Sequence, residues 1–251
     1  MKPRLIIVGS GAMEVEINEA ASLIGFEVAN LDTVKNLLTI DGQNISTQNM
    51  GDEFLKLPII MSTVDYAEFA NLPPFKSWSK NRAQLLRDVE ALGFKNWTSI
   101  VHPASVLASS AIIGDNVFIG ANSTISSKSI IGSHTFINRS VSIGHDVNIG
   151  NFCFIAPGVT ITGAVTIRDS GFVGAGSTII NSVVIGEGAT VAAGSTVTRN
   201  VNDLSLVMGS PARQKNQFYR SLRKKFLARA SKYLKILGLL AIAKKVYGKV
   251  R

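Results

Sequence analysis

Moving a proton near neutral pH calls for a side chain that titrates there, and this chain of 251 residues has three, His102, His134 and His145. Only His145 has a carboxylate beside it in sequence, Asp146. A neutral imidazole with an ordinary pKa of about 6.5 can take a proton from an attacking amine or hydroxyl. The adjacent acid can orient the ring or hold its charge. A second set has the chemistry of phosphate approach: Gly9, Ser10 and Gly11 follow an apolar run, and Asp32 closes the next one. Backbone at such a glycine turn can approach a phosphate, and the acid ends the second strand of the unit. Further along, Gly174, Ala175 and Gly176 offer close backbone approach, and Arg213, two residues after Pro211, offers a cation.

Composition narrows the classes. With 46% hydrophobic and 17% charged residues the chain is long enough for a buried core and two domains. A single cysteine, Cys153, rules out an internal disulfide framework and any Cys-based zinc cluster, which fits a reducing compartment. The opening MKPRLIIVGSGAMEVEI has a very short apolar run broken by glycines and no small-residue cleavage site, so no secretory signal is expected. The expected location is the cytoplasm. The net charge of +9 is unevenly spread: 13 of the 26 Lys and Arg lie at or after Arg213, while all 17 acidic residues lie at or before Asp203. The body, with 13 basic against 17 acidic residues, carries about −4, so a nucleic-acid-binding body is disfavoured.

The elements that must position these residues are announced by a period of six. Stepping from Val101 through Leu107, Ile113, Ile119 and so on to Val197 meets seventeen residues, all Ile, Leu or Val. Two residues before each lies a small or β-branched one, among them Ser105, Val117, Ser129, Cys153, Val165 and Ser195. A period of six suits short strands that turn a corner every six residues, three sides to an 18-residue coil. The large residues then stack inside a triangular prism. Gly163, eighteen residues after His145, falls one coil later on the same corner.

Before the repeat, PRLIIVGSGAMEVEINEAASLIGFEVANLD reads as strand, glycine turn, helix and strand, the opening of a Rossmann-like nucleotide-binding half-domain. Glu14 occupies the place of the third glycine in G-x-G-x-x-G, and its carboxylate would repel a pyrophosphate, which argues against a full dinucleotide site. LKLPIIMST reads as another strand and KNRAQLLRDVEALGF as a helix. The expected organisation is an α/β half-domain over 1–98, a parallel β-helix over 99–212 and a basic tail over 213–251.

The half-domain, the helix ending in ALGF, the junction SIVHPAS, the run SIGHDVNIGNFCFIAPGVTITGAVTI and the closing VMGSPAR together resemble one family of hexapeptide-repeat acyltransferases. It is the sialic acid O-acetyltransferase family, which also holds the N-acetyltransferases of UDP-linked 4-amino-6-deoxy sugars and similar GDP-perosamine enzymes. The likeness covers residues 4 to about 215 and is strongest from Ile100 onward. It implies a left-handed β-helix, a homotrimer with active sites between neighbouring prisms, acetyl-CoA lying along the coils, and a nucleotide sugar reaching in from the N-terminal domain. His145 matches the family's catalytic histidine and Asp146 its acidic partner. The Gly163 backbone N–H matches the donor that faces the thioester oxygen. Gly174, Ala175, Gly176 and Arg213 are the candidates for contacting the coenzyme, and Gly9, Ser10, Gly11 and Asp32 those for the nucleotide. The implied reaction is transfer of acetyl to the amine of a nucleotide-linked amino sugar in surface polysaccharide or glycan synthesis, without a metal. O-acetylation of sialic acid or another sugar is the alternative, and a non-catalytic trimeric scaffold is the alternative of another class.

Two positions depart from the family. Phe154 stands where many members carry a second histidine near the acceptor, and GSGAME replaces motifs such as G-G-H-G, so acceptor contacts are expected to differ. A β-helical carbonic anhydrase would need three zinc-binding histidines, but intervals of 32 and 11 residues do not match that family's pair five apart. Finally, Leu222, Phe226, Ala230, Tyr233, Leu237 and Leu240 recur at helical spacing among Arg and Lys, which predicts a basic amphipathic helix. Its longest uncharged stretch, Ile236 to Ala243, is far short of the roughly 20 residues that span a bilayer. Peripheral binding to an anionic inner leaflet is the expectation, against a helix folded onto the trimer or docked to a glycosyltransferase.

Overall fold

The computed structural model describes residues 2–9, 12–32, 37–40, 43–61 and 76–215. The tail from residue 216 onward, including the amphipathic pattern, lies outside these residues, as do Ser10 and Gly11. Residues 1–214 form one compact unit.

The N-terminal part is the Rossmann-like half-domain. Strand β1 (Arg4–Val8) leads through Gly9 to helix α1 (Ala12–Leu23) and strand β2 (Glu27–Asp32). Strands β3 (Leu37–Ile40) and β4 (Gln43–Ser46) form an antiparallel hairpin, followed by the short helix α2 (Asp52–Leu55), strand β5 (Ile59–Met61) and helix α3 (Lys76–Ala91). The sheet order is β4-β3-β2-β1-β5, with β2, β1 and β5 mutually parallel. The hairpin and α2 carry no strong periodicity, and sequence reading passed over them. Gly9 has φ +114 and donates its N–H to the Leu31 carbonyl at 3.3 Å, a turn that a side chain would strain.

From Ile100 the chain winds as a three-sided parallel β-helix of two-residue strands. The first face carries Ile100–Val101, Phe118–Ile119, Phe136–Ile137, Phe154–Ile155, Phe172–Val173 and Thr190–Val191; the second runs from Val106–Leu107 to Thr196–Val197, and the third from Ile112–Ile113 to Val184–Ile185. Every neighbouring pair in these ladders is offset by eighteen residues, as Thr124↔Ser142 and Ile131↔Ile149 show. The six-residue set points inward: Ile119, Ile137, Ile143, Ile149, Ile155 and Ile185 are fully buried in one continuous core.

The small set does more than fill the narrow places. Ser129 Oγ donates to the Gly144 carbonyl at 2.7 Å and accepts the Val147 N–H at 3.3 Å; Ser123, Thr135 and Ser177 repeat the arrangement. Each buried hydroxyl thus satisfies a carbonyl and an N–H of the next coil where the tight corner leaves them unpaired. Cys153 takes one of these places, its Sγ 3.2 Å from the Arg168 carbonyl, and burial pushes its thiol up to about 12, so it is an inert core residue.

The half-domain covers the first face. Phe118, Phe136, Phe154 and Phe172 stand eighteen residues apart and form a ladder with ring centroids 4.8, 5.5 and 5.2 Å apart. Against it pack Leu5, Ile7, Ile17, Ala20, Ala21 and Ile60. At the edge joining the third and first faces, the fully buried Arg82 of α3 donates to the carbonyls of His134 at 2.9 Å and of Met61 at 3.3 Å, tying the end of β5 to the prism.

Candidate active site

The three histidines fall in three different surroundings. His102 is held locally, its Nδ1 accepting the Ala104 N–H at 3.1 Å. His134 stacks on Phe152 at 4.7 Å, meets Trp97 edge-on, and has Nδ1 2.9 Å from the Asn116 amide. Burial, reinforced by the Arg82 charge and only partly opposed by Asp115, holds its imidazole down at about 4. A group that stays neutral throughout the physiological range and is wedged between aromatic rings serves the joint between the two parts.

His145 is different. It sits on the edge between the second and third faces, between Ser142–Ile143 and Asn148–Ile149. The ring is 62% exposed and its Nδ1 lies 2.7 Å from Asp146 Oδ2. Asp146 adopts φ +56, a left-handed conformation that aspartate tolerates, and donates its N–H to the Ser127 carbonyl one coil below at 3.0 Å. One coil above, Ala164 N–H bonds the His145 carbonyl at 2.9 Å. These bonds lock the corner, and the carboxylate fixes the ring on it. With Nδ1–H given to Asp146, Nε2 is left as the basic nitrogen.

Gly163 lies against that nitrogen. A Cβ built on Gly163 would come 2.7 Å from His145 Nε2 and 2.8 Å from Cε1, so only glycine fits above the ring. Among the described residues the Gly163 N–H has no hydrogen-bond partner. Gly144 is required for the complementary reason, since a Cβ there would stand 2.8 Å from Gly163 N. Sequence reading brought His145, Asp146 and Gly163 together, and the structure has the His145 ring against both of the others.

The other candidates stand elsewhere on the chain. Gly174, Ala175 and Gly176 form the corner between the first and second faces, and Arg213 is exposed beyond the last coil, next to Ala212, whose N–H bonds the Thr196 carbonyl. The second face separates this corner from His145. Gly9 and Asp32 lie side by side at the carboxyl ends of β1 and β2, set there by the register Val8↔Leu31. In an open sheet this is where ligands bind. Phe154, at the position of the family's second histidine, is fully buried in the aromatic ladder and faces the half-domain. A groove of about 490 Å³ lined by Arg168, Val184, Gly186 and Asn200 to Asp203 does not include His145, which stands on an open edge of the single chain. No group of three or more His, Cys, Asp or Glu among the described residues could hold a metal ion.

Sequence reading missed the other occupants of the His145 edge. Ser127 and Lys128 lie one coil below the dyad, Asn181 and Ser182 two coils above it, and Arg199 follows one coil further, as the ladder Thr178↔Thr196 requires. The signal was available as the 18-residue spacing counted from His145.

Two families of repeat match the chain: the bacterial transferase hexapeptide over residues 128–163 and the hexapeptide repeat of succinyl-transferase over residues 110–132 and 164–199. No curated protein sequence matches it. Among solved structures, it is similar to the acetyltransferase domain of PglB from Neisseria gonorrhoeae in complex with acetyl coenzyme A, with 23% identity and a TM-score of 0.70 over 86% of this chain and 100% of that one. It is also similar to PerB from Caulobacter crescentus in complex with CoA and GDP-perosamine, with 22% identity and a TM-score of 0.68 over 84% and 97% of the two chains. WeeI from Acinetobacter baumannii gives 22% and 0.66 over 84% and 100%. The chain thus carries hexapeptide repeats over residues 110–199 and shares the fold of these three structures.

Proposed function

We propose that the protein is an acetyl-CoA-dependent acetyltransferase that acylates the amine of a nucleotide-linked amino sugar, working as a homotrimer. The observation that carries this reading is the His145–Asp146 pair with Nε2 against Gly163. Structures of the same fold that hold acetyl-CoA, or CoA with GDP-perosamine, support the substrate classes.

In this reading the neutral amine attacks the thioester carbonyl carbon, forming the C–N bond, while His145 Nε2 takes the proton that the nitrogen sheds. Asp146 holds the resulting imidazolium. The negative charge that develops on the carbonyl oxygen meets the Gly163 N–H, a donor with no other partner among the described residues to give up. Collapse breaks the C–S bond, and the thiolate of CoA recovers the proton from the imidazolium. Gly9 and Asp32 hold the nucleotide, and a neighbouring chain brings the Gly174–Gly176 corner and Arg213 to the coenzyme. The exposure of His145 on an open edge supports a site completed by a second prism.

Incubation of the protein with acetyl-CoA and a panel of UDP- and GDP-linked amino sugars, with sialic acid included, tests this by CoA release. Turnover on a nucleotide amino sugar is expected. Turnover on free sialic acid alone would replace N- by O-acetylation, and no acetylation of any acceptor would leave the scaffold reading.

The localisation proposed is cytoplasmic, peripheral on the inner face of the membrane through the basic tail. No helix among the described residues is long and apolar enough to cross a membrane, and the tail's charge and amphipathic spacing support surface attachment.

A further inference from the structure

The repeat from Ile100 to Ala212 contains four cations, Lys128, Arg139, Arg168 and Arg199. Two are engaged away from the dyad. Arg139, on the edge between the first and second faces, pairs with Glu16 of α1 at 2.7 Å. Arg168, on the edge between the third and first faces, pairs with Asp203 at 3.4 Å. The ammonium of Lys128 and the guanidinium of Arg199 make no ion pair or hydrogen bond among the described residues, and both are exposed. Both also lie on the His145 edge. Lys128 is directly below Asp146, and the two residues share the same left-handed turn, with φ +58 and +56. Arg199 is three coils above His145.

Gly163 fixes the direction of this edge. Since it lies on the upper side of the ring, an acyl group whose oxygen faces its N–H places the rest of the donor toward Asn181 and Arg199. The lower side is left to the acceptor. Coils are about 4.8 Å apart, so Lys128 stands roughly 5 Å below the dyad and Arg199 roughly 14 Å above it. A diphosphate joined to an amino sugar lies about one ring width from the amine, roughly 5–7 Å by ordinary bond lengths. The first offset therefore matches the acceptor's diphosphate, and the second matches phosphates at the far end of a long, thin donor arm.

Resting on the acetyltransferase reading, we propose that Lys128 is the acceptor-side anion contact of this site: it binds the diphosphate of the nucleotide sugar and positions the amine at His145 Nε2. Arg199 serves the donor phosphates at the opposite end. The edge is thus a track with one cation for each of two anionic substrates and the base between them. This separates Lys128 from the half-domain contacts at Gly9 and Asp32, and it makes an anionic acceptor a requirement of the β-helix itself.

Steady-state kinetics on the full-length protein decide it, with the Lys128→Met, Lys128→Arg and Arg199→Met variants and with KM measured for each substrate in turn. Lys128→Met should raise KM for the nucleotide amino sugar about tenfold, the scale of one charge-assisted hydrogen bond, while KM for acetyl-CoA moves less than twofold. Lys128→Arg should recover most of the loss. Arg199→Met should show the reverse pattern, and the pH profile of kcat should stay in place in both. Equal shifts in both Michaelis constants, no shift for the acceptor in Lys128→Met, or a displaced kcat profile showing that Lys128 acts through Asp146 would each overturn the assignment. Wild-type protein that acetylates no acceptor overturns the functional reading itself, and turnover confined to an uncharged sugar overturns the role of Lys128 alone.

Discussion

At the scale of the residue, three histidines that sequence alone could rank only by their neighbours are separated by environment. His134 shows the opposite design to a base, since burial holds it near 4. Its neutral form is favoured in the fold, whereas the unfolded chain protonates it at about 6.5. Stability from this residue is therefore present above about pH 6.5 and lost as the pH falls from 6.5 toward 4. Thermal melts of a His134→Phe variant should show a shallower loss over that window than the parent; parallel curves would remove His134 from the acid sensitivity. His145→Ala should leave the fold intact and lower kcat by about 10²- to 10⁴-fold, the usual worth of a general base, with Asp146→Asn doing less. Activity within a few-fold of the parent would end the proposed role. Gly163→Ala is a sharper test of geometry, because the added methyl strikes Nε2 and displaces the ring from Asp146. Its kcat should fall by at least tenfold, on the order of one lost catalytic contact, with little change in KM for either substrate.

At the scale of the element, the β-helix is a set of ladders, each with one job. The inner aliphatic ladder supplies the core, the hydroxyl ladder satisfies corner backbone groups, and the outer phenylalanine ladder docks the half-domain. These jobs predict different failures. Ile149→Asp places a carboxylate in a fully buried position without a partner, and the coils should unfold. Phe136→Ala removes the centre of the outer ladder at a cost of about 3–5 kcal/mol, which should fall mainly on the docking of residues 2–61. Hydrogen exchange would show this as faster exchange in β1 and α1 with the coils beyond Thr178 still protected. Uniform loss of protection would mean that the two parts fold as one.

At the scale of the whole molecule, the charge is divided between an acidic body and a basic tail. Each basic residue near an anionic membrane surface contributes about 1 kcal/mol, so partial engagement of the thirteen Lys and Arg from Arg213 onward suffices for binding. Vesicles containing anionic lipid should bind the protein and release it steeply with added salt as the Debye length shrinks, and neutral vesicles should bind poorly. Ending the chain just after Arg213 should abolish sedimentation with vesicles and leave turnover unchanged, because His145, Asp146 and Gly163 lie upstream. If the full-length protein also stays in the supernatant at low salt, a docking role on a protein partner becomes the better account.

The sequence by itself determined the β-helix and the stacking of His145 under Gly163, because a strict period leaves no freedom: once eighteen residues make a coil, equal spacing becomes vertical alignment. The same logic covers β1, α1 and β2, where strand and helix patterns are strong and the chain is continuous. What lacked a period needed the tertiary structure. The hairpin Leu37–Ser46 is held by pairing with β2, and the fate of Phe154 depends on which face the half-domain covers. Likewise, burial of Arg82 and the depressed basicity of His134 arise where α3 and β5 meet prism residues more than fifty positions away in sequence. Spacing counts positions along the chain. Burial, hydrogen-bond partners and the choice of exposed edge are set by what arrives from elsewhere, and only the folded molecule decides them.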